Sequence, residues 1–134
     1  MSRPPHYHSV TPYLTVTGIP ELIAFLTHAF NAAEEEKGRQ LRADGSVWHT
    51  VVRIGDSLIE MSEPSGDYPA QPSALHVYVD DTDLTYQQAL AAGATSLYEP
   101  ADMDYGERSA GVRDRSGNQW YIATYQGQGT TATP

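Results

Sequence analysis

Two histidines and one glutamate stand where they could act together on a small molecule. His49 and Glu60 lie on either side of a Gly55-Asp56 turn, and His76 lies on a later strand. Alternation along these strands predicts that Glu60 pairs with Val51 across the turn, with His49 a diagonal neighbour on the same sheet face. Two imidazoles and a carboxylate with open positions are a donor set for a divalent metal such as iron, zinc, manganese or nickel.

Each of these three groups also has an interpretation without a metal. In a largely apolar cavity the pKa of a carboxyl group rises, which makes Glu60 a candidate catalytic general base. Beside Arg53 or Arg113 the same carboxylate would stay ionised in a structural ion pair. His49 and His76 are each more often hydrogen-bonding pocket residues than metal ligands. The residue types alone leave these alternatives open.

Aromatic residues follow the same predicted faces. Tyr13, Tyr78 and Tyr121 alternate with apolar residues along their strands, and Tyr105 precedes another strand. Such a face could simply contact solvent, as one face of an antiparallel sheet often does. Aromatic rings with a few polar groups are typical of a small-molecule pocket, and tyrosine rings attract cations and other rings. We therefore expect a pocket for a cationic or aromatic ligand, lined by Tyr13, His49, Glu60, His76, Tyr78, Tyr105 and Tyr121.

The elements that must position these residues occur twice along the chain. A strand, a short helix and three further strands span residues 10–64 and again 73–127, with a Pro- and Gly-rich linker at 65–72. Apolar residues recur at helical spacing in both units, and Gly93 stands where a left-handed helix end is expected. The pattern predicts one α+β domain of two βαβββ modules, with tails at 1–9 and 128–134. The helical positions are Leu22, Phe25, Leu26 and Ala29, then Tyr86, Ala89, Leu90 and Gly93.

Composition excludes several classes of function. The chain has 134 residues with 17 Asp plus Glu against 8 Lys plus Arg, a formal net charge of -9. This charge disfavours nucleic acid as a partner and favours cationic ligands. No apolar run approaches the ~20 residues of a membrane span, and no signal-peptide core is evident, so we expect a cytoplasmic protein. The absence of cysteine excludes disulfides, thiolate catalysis and Cys-ligated zinc.

Several segments together resemble one protein family, and they span nearly all of residues 10–125. The segments are Val10-Thr-Pro-Tyr-Leu-Thr-Val16, Ile54-Gly-Asp-Ser57, His76-Val-Tyr-Val-Asp-Asp81, Ala91-Ala-Gly-Ala94, Arg113-Asp-Arg-Ser-Gly117 and Trp120-Tyr-Ile-Ala-Thr124. They resemble the PhnB-like branch of the vicinal oxygen chelate superfamily, which includes glyoxalases, extradiol dioxygenases, fosfomycin-modifying enzymes and bleomycin-binding resistance proteins. The resemblance implies paired βαβββ modules, a curved, mostly antiparallel sheet of eight strands, and a homodimer. It leaves the chemistry open, because one fold serves many functions.

The resemblance also bears on metal binding. Metal enzymes of the superfamily place one ligand on the first and one on the last strand of each module, where this chain has Thr11, Glu60, Ala74 and Tyr121. Of these four residues, only Glu60 is a plausible ligand. The resemblance therefore favours a homodimeric, metal-free protein that binds or sequesters a small molecule. The alternative is a lyase, isomerase or dioxygenase that binds one divalent metal through His49, Glu60 and His76 and uses it as a Lewis acid.

Overall fold

Two βαβββ modules make up the computed structural model, which describes residues 2–127. The first module contains β1 (Tyr13–Thr15), α1 (Ile19–Phe30), β2 (Ala33–Glu34), β3 (Gln40–Leu41), β4 (Val47–Ile54) and β5 (Ser57–Ser62). The second contains β6 (Ala74–Tyr78), α2 (Thr82–Ala91), β7 (Thr95–Met103), β8 (Glu107–Arg113) and β9 (Gln119–Tyr125). The predicted α+β fold with this repeat is confirmed. The predicted C-terminal tail, 128–134, lies outside the described residues.

Each module forms its own sheet, and both sheets have the same strand order. The first sheet runs β1-β5-β4-β2, with β3 also paired to β4, and the second runs β6-β9-β8-β7. The first and last strands of each module are parallel. The second strand of the repeat is continuous as β7, whereas in the first module a 3₁₀ turn at Glu36–Gly38 divides it into β2 and β3. The strands described here therefore form two sheets and not one continuous sheet of eight.

The helix-covered faces of the two sheets meet in one hydrophobic core. The predicted face of α1 is buried, and Phe25 and Phe30 pack against Trp120 of β9 with ring centroids 6.5 and 5.3 Å apart. Helices α1 and α2 also pack against each other. Because the core takes up one face of each sheet, the opposite faces are directed outward. None of the helices in residues 2–127 is long and apolar enough to cross a membrane.

A carboxylate accepts hydrogen bonds from backbone amides at the start of each helix. Glu63, directly after β5, accepts from the backbone N–H of Gly18 at 3.1 Å and of Ile19 at 2.9 Å. Asp81 accepts from the N–H of Leu84 at 3.0 Å. The unpaired amides and positive dipole of a helix N-terminus favour a negative group there. Glu63 therefore attaches α1 to its own sheet, across a separation of 45 residues.

A buried carboxylate holds the turn between β8 and β9. Asp114 accepts hydrogen bonds from Trp120 Nε1 at 2.9 Å and from Asn118 Nδ2 at 3.0 Å. Asn118 in turn accepts from the backbone N–H of Ser73 at 2.9 Å, directly before β6. Hydrogen bonds to an ionised group are stronger than those between neutral groups. The network thus ties β6 to β9 and positions the outward face of the second sheet.

Candidate functional site

Tyr13, His49 and Glu60 lie together on the outward face of the first sheet, here called the first-module face. Glu60 pairs with Tyr13 on one side and with Val51 on the other, which confirms the predicted register across the Gly55-Asp56 turn. His49 Nε2 lies 3.3 Å from Glu60 Oε1, and the rings of Tyr13 and His49 are 6.0 Å apart. An imidazole, a carboxylate and an aromatic ring are thus adjacent on one face.

The broken second strand fixes the orientation of His49. The Nδ1 atom lies 3.1 Å from the carbonyl oxygen of Gly38, at the end of the 3₁₀ turn. Because a carbonyl oxygen only accepts, Nδ1 carries a hydrogen and Nε2 is the nitrogen directed at Glu60. The side chain of His49 is 12% exposed, whereas that of Glu60 is 32% exposed. On this face the imidazole is held by its surroundings and the carboxylate is the more accessible group.

Residues near Glu60 differ from those that the sequence suggested. Arg53 donates to Glu35 at 3.1 Å, and Arg113 lies on β8 of the other sheet. Glu60 pairs with His49 instead of either arginine. Tyr7 lies near the same carboxylate: burial, and then the negative charges of Glu60 and Glu35, raise the pKa of its hydroxyl. Tyr7 falls within the predicted N-terminal tail, and periodicity offered no signal for its position.

The second-module face, the outward side of the second sheet, carries a different set of partners. His76 Nε2 lies 3.1 Å from Glu107 Oε2, and the hydroxyl of Tyr78 donates to Glu107 Oε1 at 3.5 Å. The rings of His76 and Tyr78 are 4.7 Å apart, and His76 pairs with Tyr121 across β6 and β9. The side chain of His76 is 40% exposed and that of Glu107 only 8%. The partner of His76 is therefore Glu107.

Tyr105 approaches Glu107 from the turn between β7 and β8. Burial raises the pKa of the Tyr105 hydroxyl, and the negative charge of Glu107 is the next cause. Tyr98, Asp104 and Tyr78 raise this pKa further, by smaller amounts. Both Tyr78 and Tyr105, which were predicted as site residues, thus feel the charge of Glu107, a residue that sequence patterns did not single out.

Tyr98 lies against the sheet on this face. A Cβ atom at Gly111 would be 2.4 Å from the Tyr98 ring, so the glycine leaves the space that the ring occupies. The hydroxyl of Tyr98 is 2.8 Å from the Oγ of Ser109, which is also on β8. Glu107, Ser109 and Gly111 alternate along β8 and share this face. That alternation was the sequence signal that could have identified Glu107.

The two faces divide the predicted metal trio. His49 and Glu60 lie on the first-module face and His76 on the second, so the three do not come together within one chain. Among residues 2–127, no group of three or more His, Cys, Asp or Glu side chains is arranged to hold a metal ion. The register also places Tyr13 and His76, not Thr11 and Ala74, beside Glu60 and Tyr121. The residues of a single chain therefore do not fit the proposed metal site.

A cavity of about 790 Å³ lies between the two modules. Its walls are residues 29–31 at the end of α1, 54–59 around the β4–β5 turn, 75–81 on and after β6, and part of α2. Sites for small organic molecules fall in the same range of volume, roughly 300–1,000 Å³. Because β6 is an edge strand, His76 and Tyr78 contribute both to this cavity and to the second-module face.

Comparison with known proteins identifies the family. The model of the Glyoxalase/Bleomycin resistance protein/Dioxygenase superfamily matches residues 5–122. An uncharacterised protein of Mycobacterium bovis is 31% identical over 125 residues, covering 85% of this chain and 81% of that protein. The crystal structure of TioX from Micromonospora sp. ML1 matches with a TM-score of 0.71 and 22% identity, over 87% of this chain and 95% of that chain. A glyoxalase-related enzyme from Fulvimarina pelagi matches with a TM-score of 0.69 and 16% identity, over 94% and 99% of the two chains.

These matches differ in what they establish. At 22% and 16% identity the two crystal structures show a shared fold. Assignment to the PhnB-like branch stays a prediction. The family model matches most of the chain, and its modules are those described above. This chain therefore belongs to the glyoxalase/bleomycin resistance protein/dioxygenase superfamily.

Proposed function

We propose that this protein binds a small cationic or aromatic molecule on its outward sheet faces, as a homodimer and without a bound metal. One observation carries the proposal: each outward face has a carboxylate and an imidazole next to solvent-exposed tyrosine rings. Tyr13, Tyr78 and Tyr105 are among the large aromatic side chains exposed in the described chain. Exposed aromatic residues beside a few polar groups are typical of ligand-binding surfaces.

The charge of the protein supports a cationic ligand. The formal net charge is -9, and each candidate face contains a carboxylate, which is partly exposed in Glu60 and buried in Glu107. A negative surface raises the local concentration of cations and the rate at which they bind. The intermodule cavity, in which Asp56, Asp80 and Asp81 take part, has the same sign of charge. A neutral aromatic ligand would rely on the tyrosine rings instead.

In a homodimer, a second chain would lie opposite the outward faces and enclose the space beside them. The two faces point away from a shared core, so neither closes on the other within one chain. β1 and β6 each lie at the edge of a sheet, and edge strands are the ones that can pair with another chain. A second copy could place its second-module face opposite the first-module face of this chain. Light scattering during size-exclusion chromatography tests this step, because a monomeric mass across the working concentration range would contradict it.

A divalent-metal enzyme is the second candidate, and the orientation of His49 favours it. A metal-binding imidazole usually donates its other N–H to a carbonyl or carboxylate, as His49 Nδ1 does to Gly38. Nε2 and Glu60 would then be two ligands, and a third would have to come from outside this face. The described residues of one chain do not assemble such a site.

Metal content and ligand binding together separate the two candidates. The first measurement is the metal content per chain of protein purified without an affinity tag or chelator. Trace amounts support the metal-free proposal. About one equivalent of iron, zinc, manganese or nickel that is lost in Glu60→Gln would overturn it. The matched control is Asp67→Asn in the exposed linker, which should leave the metal content unchanged.

Binding is then tested with cationic and neutral aromatic compounds, using thermal unfolding and calorimetry. We expect at least one class to raise the midpoint of unfolding, because a ligand that binds only the folded state stabilises it. Failure of both classes to bind the metal-free protein would contradict the proposed function. The cytoplasmic location expected from the sequence stays a prediction.

A further inference from the structure

We infer that the second-module face binds an organic ammonium ion with methyl or methylene substituents, with Glu107 as its counter-ion and Tyr78 and Tyr105 as its aromatic contacts. This inference rests on the proposed function and deepens it, since it names both the ligand class and the face. Four features carry it: the charge at Glu107, the exposure of the rings, the hydrogen bonds already made by the carboxylate, and the contrast with the first-module face.

Glu107 is a buried carboxylate without a permanent positive partner. Its side chain is 8% exposed, and its ion-pair partner is His76, whose imidazole is charged only when protonated. Across residues 2–127, no lysine or arginine lies within ion-pair distance of Glu107; the neighbouring Arg108 pairs with Asp83 and Asp102. A carboxylate withdrawn from water is stabilised strongly by an adjacent cation. The site therefore favours a ligand that brings a fixed positive charge.

Two exposed rings stand next to this charge. Tyr78 is 65% exposed and Tyr105 is 59% exposed, although both hydroxyls lie near Glu107. A cation near the face of a tyrosine ring is attracted by the ring, and covering the rings also removes apolar surface from water. A compact hydrated ion would leave most of that surface exposed. An ammonium ion with attached methyl or methylene groups would gain from both effects.

The hydrogen bonds at Glu107 favour a ligand that does not need to donate one. His76 lies 3.1 Å from Oε2, and the hydroxyl of Tyr78 reaches Oε1 at 3.5 Å. A guanidinium would compete with both contacts, because it binds carboxylates through two parallel N–H groups. Divalent metal ions prefer several oxygen ligands, and Glu107 provides one carboxylate here. A quaternary ammonium ion can approach while both existing contacts are kept.

The first-module face lacks this combination, although it also has a histidine and a glutamate. Glu60 is four times as exposed as Glu107, at 32% against 8%, so solvent screens its charge more. Tyr13 is the predicted ring beside it, and its centroid is 6.0 Å from that of the His49 ring. The first-module face is therefore the less favourable site for an organic ammonium ion.

The test uses choline and its neutral analogue 3,3-dimethylbutan-1-ol, which has the same shape with carbon in place of nitrogen. Calorimetric titration of the full chain should show binding of choline, with the neutral analogue weaker by about tenfold. Glu107→Gln should weaken choline binding by about tenfold, whereas Asp67→Asn in the exposed linker, which also replaces a carboxylate by an amide, should change it by less than about twofold. Equal binding of the two compounds, or choline binding by Glu107→Gln as tight as by the wild type, would overturn the inference.

A second pair of variants protects the test against misfolding of Glu107→Gln, whose side chain is buried. Tyr105 is exposed in a turn, so Tyr105→Leu removes an aromatic ring at little risk to the fold, and Tyr105→Phe keeps the ring. Choline binding should fall several-fold in Tyr105→Leu and be retained in Tyr105→Phe. If both variants bind like the wild type, Tyr105 is not a contact and the inference fails.

The outcome also separates this inference from the proposed function. If a neutral aromatic compound binds the protein and choline does not, the ligand class named here is wrong and the proposed function survives. If neither class binds, both fail. If choline binds and depends on Glu107 and the Tyr105 ring, both are supported.

Discussion

The two outward faces carry the same pair of residue types in opposite arrangements. On the first-module face the imidazole of His49 is enclosed and Glu60 is accessible, whereas on the second-module face His76 is accessible and Glu107 is enclosed. The cause is the second strand of each module: its break brings Gly38 to His49, while the continuous β7 ends in a turn that brings Tyr105 to Glu107. The same pair of residue types therefore has a different exposure on each face, because the surrounding elements decide which of the two groups contacts solvent.

At one equivalent position the two modules differ in residue size, with Val51 in the first module and Gly111 in the second. Val51 pairs with Glu60, and Gly111 pairs with Tyr121, each on the strand next to the last strand of its module. In the first module Val51 packs against Gly38, where an added Cβ would lie 2.7 Å from its Cγ2. In the second module Gly111 faces the ring of Tyr98. Each module fills the same space from a different strand.

The largest expected effect comes from the turns that differ most between the modules. Asp114→Ala should lower the free energy of unfolding by about 3–5 kcal/mol, because it leaves the buried donors of Trp120 and Asn118 without an acceptor. Asp56→Ala in the exposed β4–β5 turn should change it by less than about 0.5 kcal/mol. Urea titration measures both values. Similar losses in the two variants would mean that the turns are equally important.

The exchange of large and small residues predicts a coupled pair of mutations. Gly111→Ala should destabilise the protein by about 1–3 kcal/mol, because its Cβ would displace the Tyr98 ring. In a Tyr98→Ala background the same change should cost much less, since the ring is gone. A double-mutant cycle measured by urea unfolding gives the coupling. Additive effects would show that the ring and the glycine do not compete for space.

Removing the carboxylate at the start of α1 or of α2 should produce a smaller difference in stability. Glu63→Ala should cost about 1–2 kcal/mol, since Glu63 accepts from two backbone amides and joins α1 to its sheet. Asp81→Ala removes a local cap with one such bond and should cost about 1 kcal/mol or less. Thermal and urea unfolding compare the variants. A larger loss at Asp81 would contradict the interpretation that Glu63 connects the helix to the sheet.

The smallest expected effect is on the pH dependence of stability, and it involves carboxylates on the second strand of each module. Hydrogen bonds, from Arg39 first and then Thr50, lower the pKa of Glu34 below its usual 4.5, although burial opposes them. Because the folded state has the lower pKa, the stabilisation is complete above about pH 4.5 and is lost as the pH falls through the lowered value. Glu34→Gln should therefore weaken the loss of stability on acidification.

Asp102 on β7 is the matched comparison for Glu34. Hydrogen bonds from Gln126 and Arg108 lower the pKa of Asp102, but this carboxylate is exposed to solvent. Asp102→Asn should accordingly change the acid dependence less than Glu34→Gln does. Urea unfolding at a series of pH values below neutrality checks both. An equal or larger change in Asp102→Asn would show that exposure does not distinguish the two sites.

Local patterns predicted the elements and part of the first-module face. The helical face of α1 is buried as its spacing indicated, and the two-residue Gly55-Asp56 turn sets Glu60 against Val51. These features depend on residues close together in the chain, where periodicity and turn geometry are decisive. Such patterns did not predict the break between β2 and β3, although that break brings Gly38 to His49.

The sequence by itself determined the repeat, the alternation of faces and the family, because each follows from local periodicity or from motifs read along the chain. Only the tertiary structure decided which residues meet. His76 meets Glu107, 31 residues away, and not Glu60, because the helix-covered sides of both sheets share one core and turn their outward faces apart. Burial of the apolar faces is the dominant favourable term in folding, and the polar groups follow the arrangement that it imposes.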